Sequence, residues 1–255
     1  MTVTDDIVYR VLDELPVTDT VYHDLAHTRP LTVHLLDAVT ERRPQGRTLL
    51  VGPNIALAQA LVDMHWPLEI WHVPGVAITE DMRANVTRVG DLDTLFGDLQ
   101  GDDTYDVIVL PFVLDATVAD PTAVLKTVRV MTRPEGTVIV TLRRAGALEA
   151  RLRAAAGRSL LTIDPTLRYS WSWPSAAPRR RLDLETLRSA AHESGFRLVQ
   201  AEAVVDALAT AGVDAMTLYS WVRAHLFHAM KQAMPALRDT LVATLTPLGE
   251  ASDSN

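Results

Sequence analysis

A chain of 255 residues is long enough for one large α/β domain with extensions or for two small domains, and its 48% hydrophobic and 22% charged residues are the balance of a globular protein with a sizeable core. The net charge of −8 argues against general binding to a nucleic-acid backbone, and the absence of cysteine excludes disulfides, thiolate catalysis and cysteine-ligated zinc. No stretch approaches the ~18–20 apolar residues that cross a bilayer, and the N-terminal MTVTDDIVYRVLDEL lacks a signal-peptide core, so the expectation is a soluble, cytoplasmic protein without membrane contact.

In chain order, residues 5–15 read as a helix with Ile7, Val8, Val11, Leu12 and Leu15 on one stripe. Val17–His27 reads as a connection, and a second helix is predicted from about Pro30 to Val39. The chain is organised around RTLLVGPNIALAQALVDM, Arg47–Met64. Its apolar Thr48–Val51 predicts a buried strand, Gly52-Pro53-Asn54 a tight turn, and Ile55–Met64 a helix. A strand that turns sharply into a helix is a common ligand cradle in open α/β sheets. Leu68–Val73 is the next strand. Thr79 is placed to cap a short helix through Met82 and Val86, and Arg88–Leu95 reads as a strand end followed by a loop.

Tyr105–Leu110, YDVIVL, is the clearest buried strand, followed by a helix that starts at Asp120-Pro121 and stops at Arg133–Gly136. Thr137–Leu142 is a further buried strand, and strand–helix–strand in this order implies a right-handed crossover and a parallel sheet. Glu149–Ala156 and Leu184–Ser194 are predicted helices around a loop-like stretch, Leu160–Arg181. Phe196–Ala203 is a strand, Val204–Gly212 a short helix or loop, Met216–Met234 a long helix and Thr240–Leu245 a last strand, with Ser252–Asn255 fraying. The long helix is apolar over a wide face, suited to the sheet or to another chain, so a homodimer or a heteromeric partner is open.

This order resembles a class I S-adenosylmethionine-dependent methyltransferase. The resemblance rests on Leu49–Leu61, on Tyr105–Leu142 (YDVIVLPFVLDATVADPTAVLKTVRVMTRPEGTVIVTL) and on RRRLDLETLRSAAHESGFRLVQAEAV, together spanning roughly 45–205. The closing LRDTLVATL is similar to the last strand of methyltransferases that act on sugars and glycans. The resemblance implies a Rossmann-like α/β fold, a seven-stranded, mostly parallel sheet with helices on both faces. It would occupy 46–250, behind an N-terminal helical extension or lid at 1–45. It also implies S-adenosylmethionine as cofactor and a small-molecule or sugar acceptor.

Three departures stand out. Leu50 replaces the acid that the family carries inside its first strand. The glycine-rich turn reads Gly52-Pro53-Asn54-Ile55-Ala56, with Asn54 at the middle glycine, a residue that tolerates positive φ. At the end of the second strand, His72, Val73 and Pro74 stand where an acid would bind the ribose hydroxyls, and only Glu80 or Asp81 could substitute. Losing that acceptor costs roughly 1.5–3 kcal/mol. Gly90-Asp91-Leu92 keeps the family's adenine loop.

The cofactor-binding candidates implied are therefore Gly52, Pro53, Asn54, Ala56, His72, Asp91, Leu92 and Pro111. Set against these is an ordinary βα turn at Gly52–Ala56 and a solvated acid at Asp91. Methyl transfer to a hydroxyl needs an in-line acceptor and benefits from a base. His23 and His27, at i,i+4, and Asp115, after the fourth strand, are the catalytic candidates; the alternatives are surface histidines and a helix-capping or solvated acid. His225 and His228 have HxxH spacing without a third ligand, so no metal site is expected. Tyr169, Trp171 and Trp173 can stack on a sugar or cover a hydrophobic edge; Arg179–Arg181 can meet an anionic substrate or stay solvated. Three functions are open: an S-adenosylmethionine-dependent methyltransferase acting on a hydroxyl of a small molecule or glycan, a catalytically inactive methyltransferase-like subunit that scaffolds or activates a partner, or a different reaction on the same fold.

Overall fold

A computed structural model describes residues 6–8, 10–11, 19–42, 46–52, 54–74, 78–97, 104–117, 119–143, 148–155, 182–204, 218–234, 238 and 240–249. Residues 6–8 and 10–11 are helical. The strands are β1 (Thr48–Val51), β2 (Leu68–His72), β3 (Val86–Val89), β4 (Tyr105–Pro111), β5 (Thr132–Arg143), β6 (Phe196–Val204) and β7 (Thr240–Pro247). The helices are α1 (Asp19–Arg42), α2 (Ile55–Asp63), α3 (Glu80–Arg83), α4 (Leu92–Gly97), α5 (Val113–Ala116), α6 (Pro121–Met131), α7 (Leu148–Ala155), α8 (Leu184–Glu193) and α9 (Leu218–Ala233).

The strands form one sheet in the order β3-β2-β1-β4-β5-β7-β6. β1 to β5 run parallel, and β7 inserts antiparallel between β5 and β6. All four residues of β1 are buried, as are Val107–Pro111 of β4, because helices cover both faces of this part of the sheet. Strand alternation divides the core in two. Leu49, Val51, Ile108, Leu110, Val138 and Val140 face α4, α5, α6 and α8. Leu50, Val107, Val109 and Ile139 face α1, α2 and Met82 of α3. The predicted mostly parallel, seven-stranded sheet with helices on both faces is what the chain builds.

Local chemistry explains the helices that matter for the site. In α2, Ile55–Leu61 are all buried, and all but Gln59 are apolar, because the helix lies between the sheet and α1; Gln59 is paired with Asp63 and Thr79. Asn54 starts it by accepting the Leu57 N–H at 3.0 Å. Asp120 starts α6 in the same way, accepting the Thr122 N–H at 2.7 Å, with Pro121 in the first turn, where a missing N–H costs nothing. Val124, Leu125, Val128 and Met131 are its buried stripe.

Several expectations change. The connection predicted at 17–27 is helical from Asp19, and α1 runs through Pro30 to Arg42; Pro30 lies inside the helix rather than at its start. Thr79 does cap α3, accepting the Met82 N–H at 3.3 Å, but the helix ends at Arg83 and Val86 belongs to β3. The loop expected within 88–95 is instead the end of β3 followed by α4. The stretch 205–217, the aromatic loop with Tyr169, Trp171 and Trp173, Arg179–Arg181 and Ser252–Asn255 lie outside the described residues.

Candidate functional site

The helix after β1 and the helices after β4 lie on opposite faces of the sheet, α2 on one and α5 and α6 on the other. Neighbouring strands whose connections leave in opposite directions open a crevice at their carboxyl ends. Here that crevice lies between β1 and β4, which pair through Leu50 and Val109.

Its β1 side is built by Gly52 and Asn54. Gly52 has φ 87, the left-handed region that glycine enters freely, and its N–H donates to the Trp71 carbonyl at 3.0 Å. Asn54, expected to stand in for a glycine at positive φ, has φ −126 instead. It serves the turn through its side chain, as the cap of α2, rather than through its backbone. Ala56 is buried in the first turn of α2; Pro53 lies outside the described residues. Ile55 and Trp71, the bulky neighbours of the turn, are both core residues. Ile55 packs in the α1–α2 cluster. Trp71 meets Phe96 edge-on at 5.9 Å under the guanidinium of Arg88, whose carbon lies 4.8 Å from the indole.

On the next strand, Val51 is in register with Trp71, so His72 stands level with Gly52 at the end of β2. Its carbonyl accepts the Gly90 N–H at 3.0 Å. Its ring is half-buried, and burial lowers its pKa below the ordinary imidazole value, so it is neutral at pH 7. Glu80 does not reach this position: it is exposed and pairs with Arg83 at 3.4 Å. At the end of β3, Asp91 is exposed and accepts the Thr94 N–H and hydroxyl, both at 2.8 Å, which hold its carboxyl below the usual carboxylate range. Leu92 opens α4 and is buried in the core.

The β4 side carries features the sequence did not disclose. Pro111 ends β4 in register with Thr141 of β5. Phe112 follows with φ 55 and ψ 16, a left-handed conformation that costs a non-glycine residue about 1–2 kcal/mol. Two acceptors on one residue hold it there: its N–H donates to the Thr141 carbonyl at 3.1 Å and to Thr141 Oγ1 at 2.9 Å. Asp115, in α5, is 1% exposed, which sets aside the solvated-acid alternative. Its Oδ2 accepts the Arg143 N–H at 2.7 Å, tying α5 to the end of β5. The Arg143 guanidinium lies 5.4 Å from the Phe112 ring. No local pattern announces an aromatic residue in a left-handed turn, so Phe112, Thr141 and Arg143 had no signal in the sequence.

The structure thus brings Gly52, Asn54, His72, Asp91, Leu92, Pro111 and Asp115 to the carboxyl ends of the parallel strands. His23 and His27 belong to α1, in a stretch whose side chains lie outside the described residues. His225 and His228 are on α9, away from these strand ends in the chain, and among the described residues no group of three metal-ligating side chains occurs.

No protein-family model matches the sequence, and no curated protein does. Solved structures do share the fold. A cyclopropane-fatty-acyl-phospholipid synthase-like protein from Lactobacillus casei is 17% identical, over 95% of this chain and 99% of that one, with a TM-score of 0.54. An S-adenosylmethionine-dependent methyltransferase from Mesorhizobium loti is 16% identical over 84% of this chain and 96% of that one, with a TM-score of 0.51. A chain of the Haloferax volcanii complex between the Trm112 methyltransferase activator and a proposed methyltransferase is 18% identical, over 87% and 89%, with a TM-score of 0.50.

Proposed function

We infer that this chain, which has the fold of the class I S-adenosylmethionine-dependent methyltransferases, is a methyltransferase that transfers a methyl group from S-adenosylmethionine to a hydroxyl of a small-molecule or glycan acceptor. The observation that supports this most is the left-handed turn at Gly52 beside the β1–β4 crevice, with Ile55 and Trp71 drawn down into the core. When bound, the cofactor supplies an electrophilic methyl on a sulfonium. Gly52, Pro53, Asn54 and Ala56 would hold its amino-acid end, His72 its ribose, Asp91 and Leu92 its adenine, and Pro111 the wall on the β4 side. The chain's work is then positional: to align an acceptor oxygen with the methyl and to exclude water. Asp115, His23 and His27 are the candidates to take the hydroxyl proton. Of these, Asp115 has one carboxylate oxygen committed to the Arg143 amide, which favours a fixed acceptor of protons over a mobile one.

A second reading is a catalytically inactive subunit that keeps the fold to scaffold or activate a partner. It is favoured by the polar groups at the strand ends. Asn54 and Asp91 both spend a side-chain oxygen on a helix start, and β2 ends in a neutral His72 instead of an acid.

Calorimetric titration with S-adenosylmethionine and S-adenosylhomocysteine separates the two. Micromolar binding supports the enzyme; no heat at millimolar ligand from folded protein supports the subunit. Asn54→Trp fills the proposed cradle, and Asn54→Asp, which keeps a capping oxygen, is its control. Binding that survives Asn54→Trp unchanged would mean the ligand lies elsewhere.

A further inference from the structure

Where a nucleoside lies across the first strands of an open sheet, an acid about 20 residues past the phosphate or methionine turn accepts hydrogen bonds from the ribose hydroxyls. A positively charged side chain there suits a phosphorylated ribose instead. In this chain that place is filled by His72, on the strand next to β1 and level with Gly52. The ring is half-buried, and among the described residues it has no hydrogen-bond partner. Of the polar residues near the ends of the first three strands, Asn54 accepts from Leu57, Asp91 accepts from Thr94, Glu80 pairs with Arg83 and Asp81 is exposed, while Arg88 of β3 lies over Trp71.

Resting on the reading above, we propose that His72 is the specificity-determining residue at the sugar end of the nucleoside. It allows the crevice to hold a ribose bearing a phosphate as well as a free diol. An imidazole donates or accepts one hydrogen bond at a time from each nitrogen and carries no negative charge at neutral pH, so it neither clamps a diol with two charged bonds nor repels a phosphate. A carboxylate at the same place does both.

The test compares the full-length wild type with His72→Glu and His72→Gln, titrated with adenosine, adenosine 2′-monophosphate and S-adenosylhomocysteine at pH 7. The wild type is expected to hold adenosine and adenosine 2′-monophosphate with similar affinity. His72→Glu should bind adenosine and S-adenosylhomocysteine at least about tenfold more tightly, the scale of one charge-assisted hydrogen bond, and lose the phosphorylated ligand by at least as much. His72→Gln, neutral and hydrogen-bonding, should keep the wild-type ratio. If S-adenosylhomocysteine binds the wild type but His72→Glu leaves the ratio of the two adenosines unchanged, this inference falls and the proposed function stands. If no ligand binds any of the three folded proteins at millimolar concentration, both fall.

Discussion

At the scale of single residues, the site is made of side chains with a structural task at a strand end. Asn54 is the clearest. The sequence singled it out as a stand-in for glycine, yet at φ −126 its value lies in the oxygen it offers the Leu57 N–H. Asn54→Ala should therefore cost about 0.5–2 kcal/mol in a denaturant titration, while Asn54→Asp stays near wild type. Asp91 and Asp183 have the same job on α4 and α8. Bonds from Thr94 and Thr186 to their carboxylates lower both pKa values. Because the folded pKa lies below the unfolded one, the stability they add is complete above the unfolded value and is lost as pH falls through the folded one. His72 acts in the same direction at higher pH: its lowered pKa means the unfolded chain binds more protons, so stability falls as pH drops from about 6.5 towards the folded value. Carboxyl and imidazole NMR titrations should find Asp91, Asp183 and His72 all below their ordinary values. The residue types and their places at strand ends were legible in the sequence. Their hydrogen-bond commitments were not, because a capping oxygen and a ligand-facing oxygen are the same letter.

At the scale of elements, legibility followed burial. β1, β4 and the heart of β5 are apolar on both faces, and their predicted limits match the observed ones closely. β3 lies at the sheet edge with Val86 and Arg88 half-buried and Thr87 and Val89 exposed, so its four residues carry no clear apolar signature and its first residue reads as part of the preceding helix. β5 hides a second subtlety: it begins at Thr132, before the Arg133–Gly136 turn signal, and the register shifts there against β4. Gly136 makes that shift possible. A Cβ on it would lie 2.8 Å from Thr132 Cγ2 and 3.0–3.1 Å from the carbonyls of Arg133 and Tyr105. Gly136→Ala should cost about 1–3 kcal/mol, whereas Gly90→Ala, whose Cβ would meet only the Leu95 and Thr94 side chains at 3.6–3.7 Å, should be nearly neutral; thermal denaturation of the two variants compares them. Among the described residues, Arg238 ties the end of helix α9 to the sheet. Arg238 donates to the Ala203 carbonyl at 2.8 Å and to the Lys231 and Gln232 carbonyls at 3.3 and 3.4 Å, joining the end of α9 to the end of β6. The planar fork of Arg238 spans carbonyls on two elements, which a lysine ammonium does not reproduce. Arg238→Lys should therefore raise hydrogen exchange in the last turn of α9 nearly as much as Arg238→Ala.

At the scale of the whole molecule, the strand order makes the end of the chain a condition for half of the sheet. Among the described residues β6 pairs with β7 alone, from Phe196 with Pro247 to Val204 with Thr240, and β7 in turn covers the edge of β5 from Val138 to Arg143. β6 is made before β7, yet among the described strands it has no partner until the last one enters between it and β5. Pairings so far apart in sequence close slowly, since the loop entropy is lost before the contacts form. The crevice side of the sheet does not share this dependence, because β1, β2 and β4 pair among themselves and pack against α1 and α2. A chain ended after Gly249 retains every β7 pairing and should fold with wild-type cooperativity. A chain ended after Met234 should lose them all and leave Val138, Val140 and Leu142 along an open edge, which invites association through that edge. Size-exclusion chromatography with far-UV circular dichroism distinguishes the cases. A monomeric, cooperatively folding product from the shorter chain would show that β6 holds to the sheet without its neighbour, against the topology argued here.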